Sequence, residues 1–393
     1  MTGKSGNRNP PKSAKETLLK PWQLFLQISW GYAVFVSAVL LGNTLLQSDL
    51  HWAIKVLLSV PMVCMVVNRQ RGLLHTFHYT IHGAGVANKR LAKFVCKWVL
   101  SMPIVHTPWN NYMKLHVSEH HSVNTFCTDK DVDLQFMAAH GFYKGMSETE
   151  YWTRLVLAPF HPMRIYEHIK FRLEVNSLEV NFVKTDTHER ISRTIYWLLL
   201  LTGVYLSGYM VPFAVFYLMP IFLVTQFSSW IQHVTEHLWF SENTEGLPKY
   251  VFYGSLNGSL SWGRFFGRPY PAHYSGWAFT WRVVKWGLAV VCIDIPLRVF
   301  SFMQDLPSHD FHHRNPGVNF WSIAPERAAN EALASRFGPM TETWSMTESF
   351  LILRDHLCRN ESDPFGISTW YHTNKQHLET KNARQASVAE AEV

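Results

Sequence analysis

The chain has 393 residues, 17% of them charged and 15% aromatic, with 21 His and a formal net charge of +7. A mean hydropathy of -0.06 in so aromatic a chain means that apolar residues are gathered into blocks, which excludes intrinsic disorder, collagen and coiled coil. Five Cys with no CxxC exclude a disulfide scaffold and a zinc ribbon. Lys and Arg flank the apolar blocks and form no basic stripe with interleaved aromatics, so membrane-flanking charge is expected and no nucleic-acid partner.

Residues 1–20 form a basic segment carrying Lys4, Arg8, Lys12, Lys15 and Lys20 against Glu16. From Pro21 to Ser48 there is no charge over 28 residues, more than the roughly 20 that span hydrocarbon. The run is too long for a signal peptide and lacks a small-residue cleavage pattern. A turn at Asp49 and His51 leads into a second apolar stretch that ends at Asn68, before Arg69 and Arg71, with Lys55 able to snorkel. Thr194 to Thr235 is charge-free for 42 residues. As one helix it would run about 63 Å, twice a bilayer core, so it must fold back near Gly208 to Pro212.

The expected fold is therefore all-α and integral to a membrane. Four transmembrane helices (about 22–47, 50–68, 194–209 and 212–235) form two hairpins within a domain spanning 21–330, under a cytoplasmic helical cap holding a di-metal site. Positive flanks place both termini and residues 69–193 in the cytoplasm, as in a multi-pass protein of a bacterial inner membrane. Apolar stretches at Lys97–Val105 and Trp286–Ile293 are too short to span and suit helices in the interface or packed in the cap. Residues 331–393 read as a C-terminal cytoplasmic segment ending in a loose polar tail.

Ten of the 21 His fall in four clusters: His78 and His82; His116, His120 and His121; His233 and His237; His309, His312 and His313. Spacings of three and four put imidazoles on one helix face, where neutral ring nitrogens converge on a divalent metal. The expected topology brings all four clusters to one membrane face, and ten imidazoles suit two metals better than one. A lone HxxxH pair is more often structural, but three imidazoles within six residues make a poor core. His75 shares a face with His78 and His82, either as an eleventh imidazole or as a donor behind one. Glu119, Glu236, Asp305 and Asp310 stand beside candidate ligands and could orient the rings; solvated charge is the bland alternative. Asp129, Asp131 and Asp133 follow the second cluster and either close the cap or face a partner.

HxxxH, HxxxHH and HxxHH around two hairpins resemble the membrane fatty acid desaturase and hydroxylase superfamily, over about residues 20–330. The resemblance implies two non-haem ferrous ions held by His78, His82, His116, His120, His121, His309, His312 and His313. It adds His237 at the end of the fourth span. His233 matches a position where some acyl desaturases carry a polar residue contacting a metal-bound water. Tyr79 stands where the first box often has an acidic residue, and the three residues between His116 and His120 resemble bacterial alkane hydroxylases. The implied activity is O2-dependent desaturation of a fatty acyl chain or fatty acid in lipid metabolism. Hydroxylation or oxidative decarboxylation to a 1-alkene is the alternative on the same scaffold. No cytochrome b5 domain, ferredoxin segment or GxGxxG site is fused, so electrons are expected from a separate ferredoxin, rubredoxin or cytochrome with its reductase. A membrane metal transporter or sensor is the reading from another class; it would place ligands deep within spans, and the charge-free runs Pro21–Ser48 and Thr194–Trp230 hold no His.

Overall fold

The structure, a computed structural model, describes residues 10–171, 178–256, 259–262, 268, 270–301, 308–331, 335–343 and 345–375. Among the described residues three helices are long and apolar enough to cross a membrane: α1 (Pro21–Gln47), α2 (Trp52–Ile81) and, later in the chain, Met210–Glu236. Pro21 supplies a preset φ at the first position of α1, where its missing N–H costs no hydrogen bond. Leu24, Gly31, Phe35, Ala38 and Gly42 make its buried stripe. Gly42 lets the Phe216 ring lie against the backbone where any Cβ would collide, the close approach that small residues permit between membrane helices. The opposite faces carry Phe25, Leu41 and Leu57, each more than half exposed, a surface suited to lipid rather than water.

α2 does not stop at Asn68, where the second span was expected to end. It runs on to Ile81 as one rod. The polar residues past that point are buried with partners: Arg71 donates to Ser229 Oγ at 3.1 Å and to Gln232, and Asn68 donates to the Val299 carbonyl. Hydrogen-bonded polar groups do not break a helix, so the first His cluster rides on the same rod as the span.

Between the hairpins come α3 (Lys89–Phe94, with a π-helical turn Val95–Leu100), α4 (Trp109–Tyr112, continued as π-helix over Met113–His120), α5 (Val132–Ala139), α6 (Glu148–Leu157), α7 (Pro162–Phe171) and α8 (Leu178–Phe182). The stretch Lys97–Val105 is packed, with Leu100 and Ile104 buried in the core shared by α1 and α2. α9 (Thr187–Leu206) starts under an Asp186 cap and buries the Glu189–Arg193 pair at 3.1 Å. From Ile195 onward it exposes Leu198, Leu199, Tyr205 and Leu206. The chain turns at Gly208, whose φ of 77° favours glycine, and enters α10 (Met210–Glu236). Thus the charge-free run does fold back where expected.

The remaining helices are α11 (Lys249–Leu256), α12 (Gly276–Ala289, continued through Val290–Asp294 and Ile295–Phe300), α13 (His309–Arg314), α14 (Ile323–Asn330) and α15 (Met346–Arg359). α12 extends beyond the apolar stretch Trp286–Ile293 at both ends, and its buried Asp294 pairs with Arg268. Among the described residues the only ladder is a short parallel pairing of β1 (Ser259–Trp262) with β2 (Glu342–Thr343).

In a second core Phe136, Trp230, Trp239 and Tyr253 meet Leu353 and Leu357 of α15. This core therefore draws on chain beyond residue 330, where sequence alone suggested a separate segment; the expected loose tail from 376 lies outside the described residues. The basic N-terminal segment is strapped down too: Leu19 N–H donates to the Gly85 carbonyl at 3.1 Å and Lys12 N–H to Glu326 at 2.7 Å.

Candidate metal centre

The end of α2, the π-helical part of α4, the end of α10 and α13 converge. They bring His78, His82, His116, His121 and His312 into one group, and His120, His237, His309 and His313 into a second. Within each group one ring nitrogen per residue lies within 4.8 Å of the others. Nine of the ten clustered imidazoles are in these groups. His233 is in neither: its Nδ1 faces the Ser229 carbonyl at 3.0 Å and its Nε2 lies 3.4 Å from Asp133. His75 stacks beside His78, ring centroids 6.0 Å apart, and is in neither group.

The second cluster shows how local geometry divides neighbours between sites. Across Met113–His120 the backbone winds as a π-helix, and His121 N–H reaches back five residues to the His116 carbonyl at 2.9 Å. Residues five apart then fall on one side of the helix, so His116 and His121 share the five-imidazole group while His120 between them enters the other. Nothing in HxxxHH announces that winding.

Ring nitrogens crowd at the centre of each group. His78 Nε2 is 2.7 Å from His312 Nε2 and 3.0 Å from His116 Nε2; His309 Nε2 is 3.1 Å from His313 Nε2 and 3.3 Å from His237 Nε2. Among the described residues His82 Nε2, both nitrogens of His121, His237 Nδ1 and His312 Nδ1 have no hydrogen-bond partner. Buried polar atoms are rarely left so: His82 Nε2 and a nitrogen of His121 fit donors arranged for a cation, whereas the Nδ1 atoms of His237 and His312 are the far sides of rings whose Nε2 faces its group. All nine imidazoles are wholly or largely buried, and the donor set holds no thiolate, which suits a first-row transition metal.

Burial keeps most of these rings neutral, as ligation requires. It pushes His82 down to about 3 and holds His116, His121, His237, His312 and His313 below the ordinary histidine range, with neighbouring imidazoles adding to the effect. His120 goes the other way. Burial opposes its charged form, but the Asp131 and Asp133 carboxylates at 3.0 and 3.3 Å outweigh that and push it up to about 9.

The groups behind the rings are partly those expected. Asp131 accepts from His120 Nδ1 and is itself fixed by the amides of Cys127 and Asp133. Tyr253 on α11 meets His313 Nδ1 at 2.8 Å. Asp131 had been one of three acids without an assigned role, and no pattern marked Tyr253. Glu236 touches His309 Nε2 at 3.0 Å, the nitrogen that faces the group, so it sits at the mouth of the second group and not behind a ring. Asp310 forks with Arg327 at 2.9 Å and touches no candidate ligand. The Glu119 carboxylate makes no hydrogen bond among the described residues. Asp305 lies outside the described residues. Asp133 with His116 and His120 makes a third, smaller group at the edge.

The cavity beside both groups is lined by Arg71, His106, Tyr112, His233 and Glu236 among others. No family model, no curated protein and no solved structure matches this chain.

Proposed function

We propose that this protein is an O2-dependent membrane oxidoreductase that holds two irons and desaturates a fatty acyl chain or fatty acid. The observation that carries the reading is the pair of adjacent all-imidazole groups at the ends of membrane-length helices. A closed structural zinc site takes four ligands and stands alone, whereas five and four imidazoles side by side leave positions for small ligands. A transporter would need ligands distributed through its spans, and these are gathered at one end. The apolar outward face of α9 supports its counting as a fourth span, with the cap on the cytoplasmic side.

When bound, the iron pair supplies O2 activation: with two electrons and two protons from an external donor, O2 becomes two waters as the chain loses two hydrogens. The protein's own residues do the rest. Asp131, an acceptor, holds His120 in the tautomer that leaves Nε2 free to ligate, and the Tyr253 oxygen, accepting from Nδ1, would orient His313 in the same way. Glu236, at the mouth of the second group and accepting from Gln232 at 2.7 Å, holds its carboxylate beside His309 and the cavity. Burial of the rings excludes bulk water from the reacting position.

Mass-spectrometric lipid profiles of cells expressing the chain or its His312→Ala variant test the proposal. New unsaturated acids lost in the variant are expected. Hydroxylated chains or 1-alkenes that depend on His312 would move the assignment to hydroxylation or decarboxylation. Identical profiles from inserted, metal-loaded protein with a competent donor would overturn it.

A further inference from the structure

Two cavities flank the seam along which α5 and α10 pack. The one beside the imidazole groups, about 160 Å³, takes Asp133 from α5 and Ser229, Gln232 and His233 from α10 into its lining. The other, about 240 Å³, lies further along both helices. It is lined by His140 at the end of α5, by Leu223, Phe227 and Trp230 of α10, and by Ala158 and Ile165 around the start of α7. No Asp, Glu, Lys or Arg lines it. His140 Nδ1 donates to the Phe136 carbonyl and Gln226 Nε2 to the Phe222 carbonyl, each at 2.7 Å, so its polar side chains are tied along their own helices. Buried Phe136 stands between the cavities: its ring centroid is 4.9 Å from that of His233 on one side and 4.2 Å from that of His140 on the other. At the rim Leu223 and Ile165 are exposed, as are Phe160, Met163 and Tyr166, an apolar surface beside the membrane-length helix α10.

We propose that the apolar cavity holds the methyl end of the fatty chain, while carbons nearer the head group reach the imidazole groups past the Phe136 ring, so that this cavity measures chain length. Ligand sites ordinarily enclose roughly 300 Å³ or more; neither cavity does so alone, and the two together do. Their linings also match the two ends of such a molecule. A carboxylate or other polar head in the apolar cavity would be desolvated with no charged partner, whereas methylenes are favoured there. The inference rests on the fatty-chain reading above and adds where the tail lies and which residues limit its length.

The test begins with photolabelling of the full-length, metal-replete protein in lipid nanodiscs by a dodecanoic acid carrying a diazirine at its methyl end, with the sites mapped by peptide mass spectrometry. Label should fall within residues 158–169 and 223–230 and be displaced by excess dodecanoate. Label that excess acid does not displace, or that is confined to the crevice between α1 and α2 lined by Trp30, Val34 and Met62, would overturn the inference. Ala158→Phe, which fills the cavity, and Leu223→Trp, at its exposed rim, should weaken calorimetric binding of hexadecanoate by about tenfold or more and leave octanoate unchanged. An unchanged preference between the two lengths in both variants would overturn the inference while leaving fatty-chain oxidation standing. Failure of wild type to bind either length, as acid or as methyl ester, would remove the fatty-chain reading itself. Metal content and Tm are read in parallel; if Ala158→Phe fails to fold, Leu223→Trp and the label on wild type decide.

Discussion

His82 and His120 titrate in opposite senses, and the metal-free protein should register both. A ring whose folded pKa is lowered resists the proton that the unfolded chain accepts, so its contribution is complete above about 6.5 and is lost as pH falls toward the folded value, about 3 for His82. His116, His121, His237, His312 and His313 act in the same direction. His120, raised to about 9, contributes fully below about 6.5 and loses that contribution as pH rises through 9. Thermal unfolding of chelator-treated protein should therefore show greatest stability near pH 6.5, with the steeper fall on the acid side; a flat profile between pH 4 and 7 would contradict the buried neutral rings. Asp131→Asn, which removes the acceptor behind His120, should weaken metal affinity by about 10- to 100-fold with the helical content intact, as measured by competition with a chromogenic chelator. At this scale the sequence was informative about imidazoles, because ligand type and spacing are local. It was silent on Tyr253 and undecided on Asp131, because what stands behind a ring is set by packing between elements distant in the chain.

Helix ends and helix winding carry the arrangement of the centre. The apolar runs showed where α1 and α10 lie, and Gly208 showed the turn, since both depend on composition alone. The continuation of α2 past Arg71 was hidden, because only the partners Ser229 and Gln232 on α10 make a buried arginine tolerable there. The π-helical winding of Met113–His120 was hidden for a similar reason. If the chain holds two irons as proposed, deleting Ser118, which shortens HxxxHH to HxxHH, should lower bound iron per chain by plasma mass spectrometry from about two to about one. Unchanged stoichiometry would mean that the winding is immaterial. Gly42→Val, which drives a side chain into Phe216, should destabilise by about 1–3 kcal/mol, visible as a lowered Tm in detergent.

At the scale of the molecule, three apolar helices of membrane length bring the imidazole groups together at their ends. Single-cysteine labelling from outside spheroplasts should reach a probe at Asp49, in the turn between α1 and α2, and miss one at Lys130, between α4 and α5. The reverse result would invert the orientation. The membrane-length helices were legible in the sequence; the part α15 plays in the second core was not, because Leu353 and Leu357, with Phe350 and Cys358 beside them, find their partners Trp230 and Trp239 more than a hundred residues away.

The first imidazole group joins His78 to His312, 234 residues apart, and the N-terminal strap joins Lys12 to Glu326, 314 apart. During synthesis α1 and α2 enter the bilayer long before α13 exists, so neither group can be completed until most of the chain has left the ribosome. On the proposed metal reading, metal acquisition is a late maturation step, and a nascent chain halted before His309 holds only part of each imidazole group.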